Sequence, residues 1–149
     1  MKNLGFPTVT ERFDYFVQKS NDEVFKLAML LSPILLTKNS LDLVFRHFGI
    51  RSSVAEDLFF GFSILKPRYV KPSRLLVFDF ISDGTLSVRQ RLLGLAYTYE
   101  RQQVVKVTEL MAEDFKARRN FEKIDDELKE LQKLVRLDFL PLETSLLNT

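Results

Sequence analysis

The 149-residue chain, 46% hydrophobic and 28% charged with a net charge of +2, is long enough for one sizeable core and lacks the polarity and charge excess that mark disorder. With no cysteine in it, disulfides, thiolate metal sites and cysteine nucleophiles are excluded. The charge is uneven: residues 1–65 balance, 75–149 are slightly acidic, and 66–74 hold Lys66, Arg68, Lys71 and Arg74 without an acid.

Thr8 and Glu11 have the spacing of a reciprocal helix-start box, which predicts a short helix to Lys19 that buries Phe13, Phe16 and Val17. A second box at Ser20 to Glu23 precedes Val24, Leu27, Ala28 and Leu31, one helical face that Pro33 must end. The longest apolar run, 24–36, falls short of the roughly 20 residues of a spanning helix. With charges already at Glu11, Arg12 and Asp14 there is also no signal-peptide pattern, so the expectation is an intracellular protein with no membrane span. Asn39 and Ser40 open a helix with Leu41, Val44, Phe45 and Phe48 on one face, and Gly49 is suited to a left-handed cap. A third box at Ser53 to Glu56 starts a helix expected to bury Val54, Leu58, Phe62 and Leu65.

Residues 66–74, K-P-R-Y-V-K-P-S-R, have the composition of an extended, proline-containing basic linker. The run 75–81 followed by Ser82-Asp83-Gly84-Thr85 predicts a small β-hairpin over 75–88, with the alternative that Ser87 caps the next helix. No proline occurs from 87 to 136. Val88, Leu92, Leu95 and Tyr99 start an apolar stripe that slips at Gln102 and Gln103. It resumes over 107–135 as a heptad pattern of Val107, Leu110, Ala117, Phe121, Ile124, Leu128, Leu131 and Val135, interrupted by Asp114. An unbroken helix of this extent would be roughly 75 Å long, against about 40 Å for a compact domain of this length. It must therefore bend back, most simply near Arg118-Arg119-Asn120, or have its seam buried by another chain.

The expected fold is mainly α: a compact N-terminal helical unit (1–65), a basic linker (66–74), and a hairpin with a long C-terminal helix or helix hairpin and apolar tail (75–149). Catalysis has little to work with. His47 is the only histidine, and no two of the five glycines lie closer than ten residues, so there is no phosphate-binding glycine loop. Paired carboxylates such as Glu109 with Glu113 lie among lysines and arginines on a solvated face. No enzyme activity, cofactor or metal is expected.

The primary expectation is a helical assembly protein that self-associates or binds a protein partner through Val107, Leu110, Phe121, Ile124, Leu128, Leu131 and Val135. The alternative starts from residues 41–58, which have a helix-turn-helix outline with Gly49 at the turn. With Asp83-Gly84 as a wing tip and the long helix as a dimer arm, the order of elements resembles a winged-helix regulator. Lys66, Arg68, Lys71 and Arg74 around Tyr69, with Arg89 and Arg91, are then the anion or nucleic-acid candidates. Glu56, Asp57, Phe59 and Phe60 stand where a major-groove reader needs Arg, Lys, Asn or Gln.

Overall fold

The computed structural model describes residues 7–70 and 75–119. Within them the chain is mainly helical with one small sheet: α1 (Val9–Lys19), α2 (Asp22–Leu31), β1 (Leu36–Thr37), α3 (Lys38–Phe48), α4 (Ser52–Glu56) continuing into a π-helical turn (Asp57–Gly61), β2 (Leu65–Val70), β3 (Leu75–Phe80), α5 (Val88–Tyr99) and α6 (Arg101–Arg119). None of the described helices is long and apolar enough to cross a membrane.

Capping chemistry sets most of the helix starts. Thr8 Oγ1 accepts from Glu11 N at 3.1 Å, as its spacing predicts. At α2 the cap is Asn21, whose Oδ1 accepts from Val24 N at 2.9 Å, one residue past the expected Ser20. At α3 it is Thr37, in a reciprocal box with Ser40, two residues before the expected Asn39. The expected box at Ser53 does not form: α4 begins at Ser52 with no side-chain cap, and Arg51 instead pairs with Glu23 on α2 at 2.7 Å. Gly49 ends α3 at φ 62°, the left-handed region where a Cβ is unfavourable. No atom lies within 4 Å of a Cβ built there, so Gly49→Ala should cost about 1 kcal/mol through backbone strain alone. A lowered urea midpoint at unchanged slope would show it.

The centre of the molecule is α2. Val24, Leu27, Ala28, Met29, Leu30 and Leu31 are all buried, so the helix is apolar around most of its circumference and has to be enclosed. α4, α5 and α6 all pack against it. Phe16 of α1 is fully buried, stacks on Phe25 of α2 at 5.4 Å and meets Phe62 edge-on at 5.2 Å. These three rings bind α1, α2 and the end of the π turn together.

The sheet has the order β1-β3-β2 with both pairings antiparallel. Leu36 lies opposite Phe78, while β2 and β3 are in register from Leu65↔Phe80 to Val70↔Leu75. This corrects two expectations. The basic stretch is not a linker, because 65–70 form a strand. The hairpin spans 65–80 rather than 75–88, with 71–74, outside the described residues, joining its strands. Residues 82–87 form a closed loop, in which Asp83 Oδ1 accepts from Thr85 N and Leu86 N, both at 2.8 Å, and Ser82 bridges to Ser87. Ser87 then caps α5, accepting from Gln90 N at 3.3 Å, which is the alternative named for this segment.

The C-terminal helix is broken at Glu100, whose backbone leaves the helical region at φ −132°, ψ 35°, eighteen residues before the expected bend. Lys26 of α2 meets the Glu100 carboxylate at 3.6 Å. α5 and α6 pack on each other and both cover α2.

Candidate functional site

Two groups of candidate residues can be placed. In the heptad seam, Val107 is fully buried and Leu110 half-buried, and both belong to the chain's own core cluster. Asp114, the polar interruption, accepts from Asn39 Nδ2 of α3 at 3.3 Å, so its partner lies within the same molecule. Ala117 is exposed. Phe121, Ile124, Leu128, Leu131 and Val135 lie outside the described residues.

The basic group is brought together only in part. Lys66 and Arg68 are exposed on β2 and, two residues apart, share one face of the hairpin. Arg68 Nε donates to Asp79 Oδ2 at 2.6 Å across the strands; the pair is about half exposed on both sides, a setting in which ion pairs add little stability. Arg89 Nε donates to the Ser32 carbonyl at the end of α2, at 3.0 Å. Arg68 and Arg89 line one cleft of about 250 Å³, floored by Ile34, Leu35 and Leu36. Arg91 is exposed on α5, and Lys71 and Arg74 lie outside the described residues. Of the six cations, the described residues bring Lys66 and Arg68 together on one hairpin face and Arg68 and Arg89 together at the cleft.

The helix facing the hairpin supplies what the sequence reading missed. In the π turn Phe62 N donates to Asp57 O at 3.0 Å, five residues back. Successive side chains of this turn take three directions: Leu58 into the core, Phe59 onto Phe78 of β3 at 5.4 Å, and Phe60 outward at 80% exposure. Such π turns recur at functional positions. Pro67 lies opposite Phe78, so Pro67, and Tyr69 two residues on, share the hairpin face on which Phe59 packs. Tyr69 is 67% exposed. Phe60 and Tyr69 are both exposed, as are Glu56 and Asp57 on the turn before Phe60. The helical spacing already sets Phe59 and Phe60 off the inward face of Val54, Leu58 and Phe62; Phe60 is exposed, whereas Phe59 is half-buried against β3.

His47 is exposed and rests against Phe48 at 4.9 Å. Among the described residues no group of three or more His, Asp or Glu gathers as metal ligands would. Comparison with models of protein families, with curated proteins and with solved structures finds no match.

Proposed function

We propose that the chain is a winged-helix nucleic-acid-binding module. The observation that carries the proposal is topological. A short β1 leads through α3, a left-handed glycine turn and α4 to a β2-β3 hairpin, and β3 inserts between β1 and β2. That is the order of a winged helix, with α3 and α4 as the helix-turn-helix pair and the β2-β3 connection as the wing. The wing tip in this assignment is Lys-Pro-Ser-Arg at 71–74, not Asp83-Gly84, and the basic excess of the whole chain falls on the wing. A positive wing meeting phosphates is the electrostatic footprint of such a module.

Assembly through the C-terminal seam is proposed alongside it, resting now on Phe121, Ile124, Leu128, Leu131 and Val135, because Val107 and Leu110 already serve the chain's own core. A dimer arm following the wing agrees with a regulator that contacts two sites at once.

Binding to labelled nucleic acid, followed by anisotropy between about 50 and 200 mM salt, tests the module. If Lys66, Arg68, Lys71 and Arg74 each neutralise a phosphate, duplex binding should show a log–log salt slope of about −3 to −4, and replacing Lys66 and Arg68 by Gln should reduce its magnitude by about 2. A flat response, or no binding to any nucleic acid at low salt, removes the proposal.

A further inference from the structure

We infer that the cavity between α2, the α3–α4 turn and α6 binds an uncharged, largely apolar small molecule. This goes beyond the nucleic-acid reading and does not depend on it. The cavity holds about 350 Å³, the small end of the range for ligand pockets. Its floor is Leu27 and Leu30 of α2 with Val54 of α4, all buried, and its walls are the half-buried Phe48 and Ile50 on either side of Gly49. All five side chains belong to the hydrophobic core or pack against it, so here the core opens to the surface between α2 and the α3–α4 pair. The Ile50 wall is held by its own backbone. Across the Gly49 turn Ile50 N donates to Phe45 O at 2.9 Å, the bond that closes a left-handed helix cap, so the pocket is formed before any ligand arrives.

The charge around the mouth selects the ligand. Glu23, Lys26 and Arg51 are the charged residues of the lining, and each already has an opposite charge beside it. Both Glu23 carboxylate oxygens accept from Arg51 Nη2, at 2.7 and 2.9 Å, and Lys26 Nζ lies 3.6 Å from Glu100. An anionic or cationic ligand would have to draw one of these groups from its partner, and would carry its own charge onto an apolar floor, which is costly. An uncharged ligand meets neither obstacle. Gln103 of α6 is the uncharged polar side chain of the lining, and its amide can donate to or accept from one hydroxyl, carbonyl or amine N–H of the ligand.

The test is titration of the full chain with N-phenyl-1-naphthylamine, an uncharged aromatic with a single N–H whose fluorescence rises in apolar surroundings. Saturable binding is expected. Displacement should be strong with 2-naphthol and roughly 10-fold or more weaker with 2-naphthoate and protonated 2-naphthylmethylamine, which share its ring system but carry a charge. Ile50→Trp, which puts a bulkier side chain into the cavity, should weaken probe binding roughly 10-fold or more. Gln103→Leu should weaken it about 2- to 10-fold through the lost hydrogen bond. Urea midpoints report whether the variants fold; should Ile50→Trp not do so, Gln103→Leu and the displacement series decide. No saturable binding, displacement that ignores charge, or folded variants that bind as well as the original chain would overturn the inference. Binding that emerges only when Leu146 and Leu147 are changed to Ser would make the chain's own tail the occupant and overturn it too. None of these results bears on the nucleic-acid proposal, because no nucleic acid is present.

Discussion

Replacing Val107 by Asp is expected to unfold the domain rather than merely to dissociate a partner. Val107 is fully buried in the cluster that α6 contributes to around α2. Next to it Thr108 already satisfies its own hydroxyl on the Val104 and Val105 carbonyls at 3.1 and 2.9 Å. An uncompensated buried carboxylate costs about 3–5 kcal/mol, and the lost valine burial adds to that. Against a total stability of about 5–15 kcal/mol for a domain, most of the folded population is at risk. Circular dichroism with urea titration is the measurement. Leu128→Asp is the comparator: if the seam beyond residue 120 serves association, this variant changes the sedimentation behaviour and leaves the unfolding midpoint of a monomer alone. A Val107→Asp protein with native stability that only fails to associate would show that α6 does not sit on α2 in solution.

The second large effect is expected at Phe16. Its ring is fully buried between Phe25 and Phe62, and Tyr15 is tilted against Phe62 at 5.9 Å. Truncation to alanine removes two aromatic contacts and leaves a cavity, at a cost of about 3–5 kcal/mol; Phe16→Leu should recover a good part of it. The loss should also reach the candidate site. Phe62 follows directly on the π turn that aims Phe60 outward, so a loosened Phe62 frees that turn. Phe16→Ala protein held below its unfolding midpoint is therefore expected to bind nucleic acid more weakly than its folded fraction explains. Binding in proportion to the folded fraction would show that the aromatic contact supports stability alone.

How much was legible in the sequence follows the physics of each signal. Helix starts and stops were readable where a single local hydrogen bond or backbone angle decides them, as at Thr8, Pro33 and Gly49. They drifted by one or two residues where several polar residues compete for the same amide donors, as among Ser20 and Asn21 or Thr37, Asn39 and Ser40. The strand β2 was misread because two prolines and four cations outweighed a clear alternation of Leu65, Pro67 and Tyr69 with Lys66 and Arg68. Proline and charge are also what an outer strand uses to discourage further pairing, and a composition argument cannot separate the two. The break at Glu100 carries no proline or glycine. Glu100 meets Lys26 seventy-four residues earlier, a contact that no local pattern encodes. The exposure of Tyr69 amid cations and of Phe60 beside Glu56 and Asp57 was legible, whereas the packing of Phe59 on Phe78 of β3 was not, because it needs a strand that the composition argument had read as a linker.

The enclosure of α2 also bears on how the protein comes into being. On a ribosome the N-terminal helices emerge first, yet the side of α2 that they leave bare is covered, among the described residues, by α5 and α6. The early segment must therefore wait, with its most apolar helix incompletely shielded, until more than fifty further residues have been made. Maturation is then a single late event, and the interval before it is when the nascent chain has most need of a chaperone.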